Sequence, residues 1–135
     1  MKSLLNILIL ITLLNLSLSS CTKKNENTDI EKPYIAVVEP EMDDTLFLST
    51  SPEIHIEFTV TDNTSLHSLH VELRDAANQV YYSFDPSVMG LSSYPFHEHP
   101  SPTGLTTTTN MKVVITALDH HDNTETKEIS FVVVP

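Results

Sequence analysis

Beyond residue 33 the chain alternates between apolar and polar side chains with a period of two. In Ile54-His55-Ile56-Glu57-Phe58-Thr59-Val60-Thr61 every apolar residue falls on one face, the pattern of a strand with one side buried and one side wet. The same period carries Leu69, Val71 and Leu73, then Val80, Tyr82 and Phe84, then Met111, Val113, Ile115 and Ala117, and finally Ile129, Phe131 and Val133. Tyr34 to Pro40 adds an opening strand. Clusters of Asp, Asn, Ser and Thr separate the runs at 62–65, 75–79 and 119–126, where such side chains favour turns. Short strands at this spacing, with no helical period between them, predict an all-β antiparallel sandwich of about seven strands. Ile56, Phe58, Val71, Val113, Ile115 and Phe131 are its expected core.

The stretch from Asp85 to Asn110 breaks the rhythm. It holds Pro86, Pro95, Pro100 and Pro102, both glycines of the chain, and a run of four threonines. Proline within a sheet is confined to edges and bulges, so Tyr94 to Pro100 reads as at most a short edge strand inside a long connection. Connections of that length in a small domain tend to be either functional or disordered.

The amino terminus sets the compartment. Met1-Lys2 precedes an apolar run that ends at Cys21, which has the charge, length and order of a secretory signal. Leu18-Ser19-Ser20-Cys21 resembles the lipobox of bacterial lipoproteins, and this resemblance implies lipid attachment at Cys21 after removal of residues 1–20. Residues 21–32 are polar and charged, as expected of a lipidated tether, and residues 33–135 form the domain. The expected location is the bacterial outer membrane, with the protein held by its N-terminal lipid and either periplasmic or surface-exposed. Lys23, Lys24 and Glu26 are similar to the residues that follow the cysteine in surface-displayed lipoproteins. With a single cysteine, the domain has no internal disulfide and depends on its core.

The formal charge is −11, and loss of Lys2 with the signal makes it one unit more negative. Such a surface repels phosphate backbones and anionic headgroups, so the reading is no nucleic acid partner and membrane contact through the lipid alone.

Asp62-Asn63-Thr64-Ser65 ahead of one strand and Asp119-His120-His121-Asp122 ahead of the last look like the turns of Ig-like modules in exported bacterial proteins. With the lipobox in front, the whole chain resembles small Ig-like lipoproteins classed as domains of unknown function, which implies a fold and a location but no activity. His121 and Asp122 stand where that pattern often has Asn or Gly.

Chemistry is narrowed mostly by elimination. Two glycines cannot build a phosphate-cradling loop or a Gly-x-Ser-x-Gly elbow, and the one thiol is assigned to lipid. Seven histidines are the unusual feature: His55, His67, His70, His97, His99, His120 and His121. In an Ig-like sandwich the turn at 62–65 and the turn at 119–123 lie at the same end. If the chain entering the next strand also starts there, His97 and His99 join His67, His120, His121 and Asp119 as ligands for zinc or copper. Their His-x-His spacing puts both rings on one side of an extended backbone. His55 and His70 fall on polar strand faces and read as surface residues, His70 being the better candidate of the two to join a cluster. Asp62, Asp119 and Asp122 also suggest calcium, which imidazole suits poorly, and turn capping is the simpler account.

The expectation is therefore a lipid-anchored Ig-like binding or adhesion module without catalytic activity, facing a protein or glycan ligand. A histidine-based transition-metal binding lipoprotein is the alternative, and a small metal-dependent hydrolase comes third.

Overall fold

The computed structural model describes residues 29–135. The expected signal peptide, the lipid site Cys21 and the first part of the tether lie outside the described residues. No helix occurs among the described residues; they form eight strands in two facing sheets, an Ig-like sandwich. These are β1 (Tyr34–Glu39), β2 (Thr45–Phe47), β3 (Ile56–Thr61), β4 (Leu66–Asp75), β5 (Val80–Phe84), β6 (Ser93–Glu98), β7 (Thr109–Asp119) and β8 (Thr124–Val134). One sheet has the order β1-β3-β6 and the other β2-β8-β7-β4-β5.

Alternation sets the core. All six residues expected inside are at most 2% exposed, and they pack with Ile54, Leu69, Leu73, Phe96, Met111 and others between the sheets. Phe58 stacks on Phe96 with ring centroids 4.6 Å apart, joining β3 to β6 beneath the outer face of the smaller sheet. Val80 and Phe84 depart from the expected pattern, being 47% and 41% exposed, because β5 is an edge strand.

Two features extend the expected topology. Tyr94 to Pro100 is mostly strand: β6 forms the edge of the smaller sheet, where Pro95 lies opposite Thr59 and costs no interior ladder bond. The three-residue β2 was not expected and makes the one parallel pair, against β8. Its direction follows from β1. Both β1 and β8 start at the end marked by the β3–β4 and β7–β8 turns, so a strand continuing β1's course can only run alongside β8 in parallel.

Candidate metal centre

β6 runs antiparallel to β3, with Ser93 opposite Thr61 and Glu98 opposite Ile56. Glu57 lies opposite His97, and continuing that register one step past the strand ends sets His55 opposite His99. The backbone bond from Ile54 N–H to Pro100 O, at 2.9 Å, keeps the two chains zipped at that point. Since Ile56, Phe58 and Phe96 point inward, the period of two turns His55, His97 and His99 together onto the outer face.

Their rings converge. His55 Nε2 lies 3.0 Å from His99 Nε2 and 3.2 Å from His97 Nε2. One donor atom from each of the three falls within 4.8 Å of the others. Two nitrogens bound to one tetrahedral zinc at about 2.0–2.1 Å are about 3.3–3.4 Å apart, so small ring movements would admit an ion.

A bulge supplies the supporting contact. β1 carries one extra residue between Val37 and Glu39, which brings Glu39 opposite Glu57 on the outer face. There Glu39 Oε2 sits 2.7 Å from His55 Nδ1. In the tautomer that donates Nδ1–H to this carboxylate, the Nε2 lone pair is the one that faces His97 and His99, the usual arrangement behind a metal-ligating histidine. Glu53 Oε2 lies 3.9 Å from His99 Nδ1, again behind the ring. His55 and His99 also form one wall of a surface groove of about 800 Å³, with Phe47, Leu46, Glu41 and Asp44 among its other walls.

The expected single cluster is thus divided. His97 and His99 do come together, but with His55 rather than with His67, His120, His121 and Asp119. The β3–β4 and β7–β8 turns do share one end of the sandwich, where Leu66 faces Asp119 and His120 N–H donates to Ser65 O at 3.2 Å. The expectation failed at β6. The chain there does not approach the next strand from the turn end: β6 starts beside the turns and leads away from them, and the six steps from Ser93 to His99 span about 20 Å. His55, assigned to bare surface, is the residue that the sequence reading missed. Its only signal is its place on the polar face of the strand that pairs with β6.

At the turn end the polar groups engage one another. Asp119 is 1% exposed. Its Oδ1 accepts the N–H groups of His121 at 2.7 Å and Asn123 at 2.8 Å, and Oδ2 accepts Asn123 Nδ2 at 2.7 Å. Burial alone would raise its pKa, but these bonds outweigh it and the carboxyl is held below its ordinary value. Asp122 takes the left-handed conformation, φ 64°, which Asp tolerates, and closes the turn in place of the usual Asn or Gly.

Asp29 docks on the same turns. It accepts from Asn63 Nδ2 at 3.0 Å and Thr64 Oγ1 at 2.7 Å, bonds that lower its pKa, while its carbonyl accepts Asn123 Nδ2 at 3.1 Å. Asp29, within the segment expected as solvated tether, therefore lies against the domain, while Ile30, Glu31 and Lys32 after it are exposed. His121 Nδ1 is 3.8 Å from Asp29 Oδ2, and Asp29, Asp119 and His121 form a second group with donor atoms within 4.8 Å. His67 and His120 meet edge to face with centroids 5.0 Å apart. His70 lies apart from both groups, between Asp85 at 2.7 Å and Glu72 at 3.4 Å; the Asp85 bond, with help from Glu72, raises its pKa against the opposing effect of burial.

No protein-family model matches this chain, and no curated protein matches it in sequence.

Proposed function

We propose that this protein is a lipid-anchored envelope protein whose Ig-like domain binds a transition-metal ion, zinc or copper, through His55, His97 and His99. The observation that carries the reading is the convergence of three imidazoles, with Nε2 atoms of His99 and His97 at 3.0 and 3.2 Å from that of His55. General adhesion to a protein or glycan requires no such convergence. Three neutral nitrogens suit zinc or copper, whereas calcium wants six or more oxygens.

Capture of the ion is favoured over hydrolysis. A hydrolase needs a group placed to move a proton on the substrate side of the metal, and the carboxylates that contact the rings, Glu39 and Glu53, stand behind them at Nδ1. Anchoring rests on the lipobox-like residues before Cys21. The chain from Cys21 to Asp29 spans at most about 28 Å, and Asp29 is fixed at the turn end. Lipid at Cys21 would then leave the histidine end facing away from the membrane.

Calorimetric titration of the mature protein in detergent with zinc and with copper tests the metal reading. Saturable binding is expected for the natural chain and is lost in the His97→Ala/His99→Ala double variant; equal heats from both would refute it. Detergent partitioning with a lipid mass increment on Cys21, abolished by Cys21→Ala, tests the anchor.

A further inference from the structure

The three-histidine site is one donor short. A tetrahedral zinc or copper ion takes four ligands. Among the described residues the only donors in the converging group are His55, His97 and His99. Glu39 is committed to His55 Nδ1 at 2.7 Å, and Glu53 approaches His99 from its Nδ1 side at 3.9 Å. Neither carboxylate reaches the Nε2 side where the lone pairs meet. The fourth donor must come from outside this set.

The groove beside the site restricts what that donor is. His55 and His99 line it together with apolar Leu46 and Phe47 and acidic Glu39, Glu41, Asp44 and Glu53; among the described residues no lysine or arginine lines it. With neutral imidazoles as ligands, a divalent ion adds two positive charges against four carboxylates, so the loaded groove is still net negative. An anionic ligand meets repulsion there, while a neutral or cationic one does not. The apolar wall favours a planar ring over a small ion.

Resting on the metal reading above, we propose that the ion held by His55, His97 and His99 keeps one coordination position open to this groove and takes there a neutral nitrogen donor, the imidazole of a histidine-bearing peptide of neutral or positive charge. The domain is then a receptor that recognises a histidine side chain through its metal. The acidic rim selects against anionic donors.

Cobalt(II), whose visible absorption reports coordination number and ligand exchange, serves as the probe ion. The mature protein in detergent is loaded with cobalt and titrated at low ionic strength with imidazole and with azide, a neutral and an anionic nitrogen donor. Imidazole is expected to change the spectrum saturably without removing the cobalt, as checked by metal content after dialysis. Azide should need about tenfold higher concentration, and Glu41→Gln/Asp44→Asn should strengthen azide about threefold or more while leaving imidazole unchanged. Azide binding as well as imidazole, or a spectrum that neither perturbs, would overturn the proposal while leaving calorimetric metal binding intact. An azide response untouched by the rim variant would overturn the role given to the acidic groups. Failure of cobalt, zinc and copper all to bind would overturn this proposal and the reading beneath it together.

Discussion

The two ends of this sandwich are built from the same residue types and are left in opposite states. At the turn end, carboxylates meet N–H and hydroxyl donors: Asp119 accepts three bonds from the β7–β8 turn, and Asp29 ties the incoming chain to Asn63 and Thr64. At the other end, three imidazoles face one another on an exposed sheet surface with their Nε2 atoms converging. One end ties its carboxylates to N–H and hydroxyl donors of the protein, and the other gathers three ring nitrogens against one another, a donor set whose mutual contacts a metal ion can replace. Proximity of ligand-type side chains is therefore a poor guide by itself; whether their lone pairs are already engaged distinguishes a clasp from a site.

The largest effect should come from the core that both ends share. Phe58→Ala removes the ring stacked on Phe96 under the histidines and should cost about 3–5 kcal/mol in chemical denaturation. A loss below about 1 kcal/mol would mean that β3 and β6 are not held by that pair. His97→Ala should next weaken zinc or copper affinity at least about 100-fold with little change in melting temperature, whereas His121→Ala leaves affinity unchanged. The reverse ranking would move the metal to the turn end.

Asp119→Ala leaves the His121 and Asn123 N–H groups of the turn without their charged acceptor and should cost about 1–3 kcal/mol while sparing metal affinity. Because the folded Asp119 has a lowered pKa, its stabilisation is present above about 3.8 and fades as pH falls through the folded value. The natural chain should thus lose stability in acid more steeply than Asp119→Asn. Glu39→Gln tests the support behind His55 and should weaken metal affinity about tenfold with no effect at the turn end.

The smallest effect belongs to His70. Asp85 raises its pKa above 6.5, so the contribution is complete below that value and is lost as pH rises through the folded value. Asp85 is largely exposed and His70 partly so, and solvent screens the pair, so the difference between the natural chain and Asp85→Asn should be only a few tenths of a kcal/mol across that window. A difference above about 1 kcal/mol would show a buried role for this pair.

The period-two alternation by itself determined the sandwich class and the identity of the core. A strand that buries one face must repeat its apolar side chains every second residue wherever it sits, so Ile56, Phe58, Val71, Val113, Ile115 and Phe131 were legible without knowing their partners. Turn chemistry was local too and marked the Asp62 and Asp119 turns, while their position at one end followed from the sandwich class. The candidate site was only half legible: His97-x-His99 could be read as a pair because two residues on one strand share a face. His55 could not, since its partnership depends on the antiparallel register of β3 with β6, some 40 residues away, and on β6 being a strand despite Pro95. Glu39 lay further out of reach, because an extra residue in β1 reversed the face that alternation assigns it. Register and bulges are settled by long-range pairing between strands, and that pairing leaves no periodic mark on either strand alone; only the tertiary structure could bring the third imidazole and its carboxylate to the site.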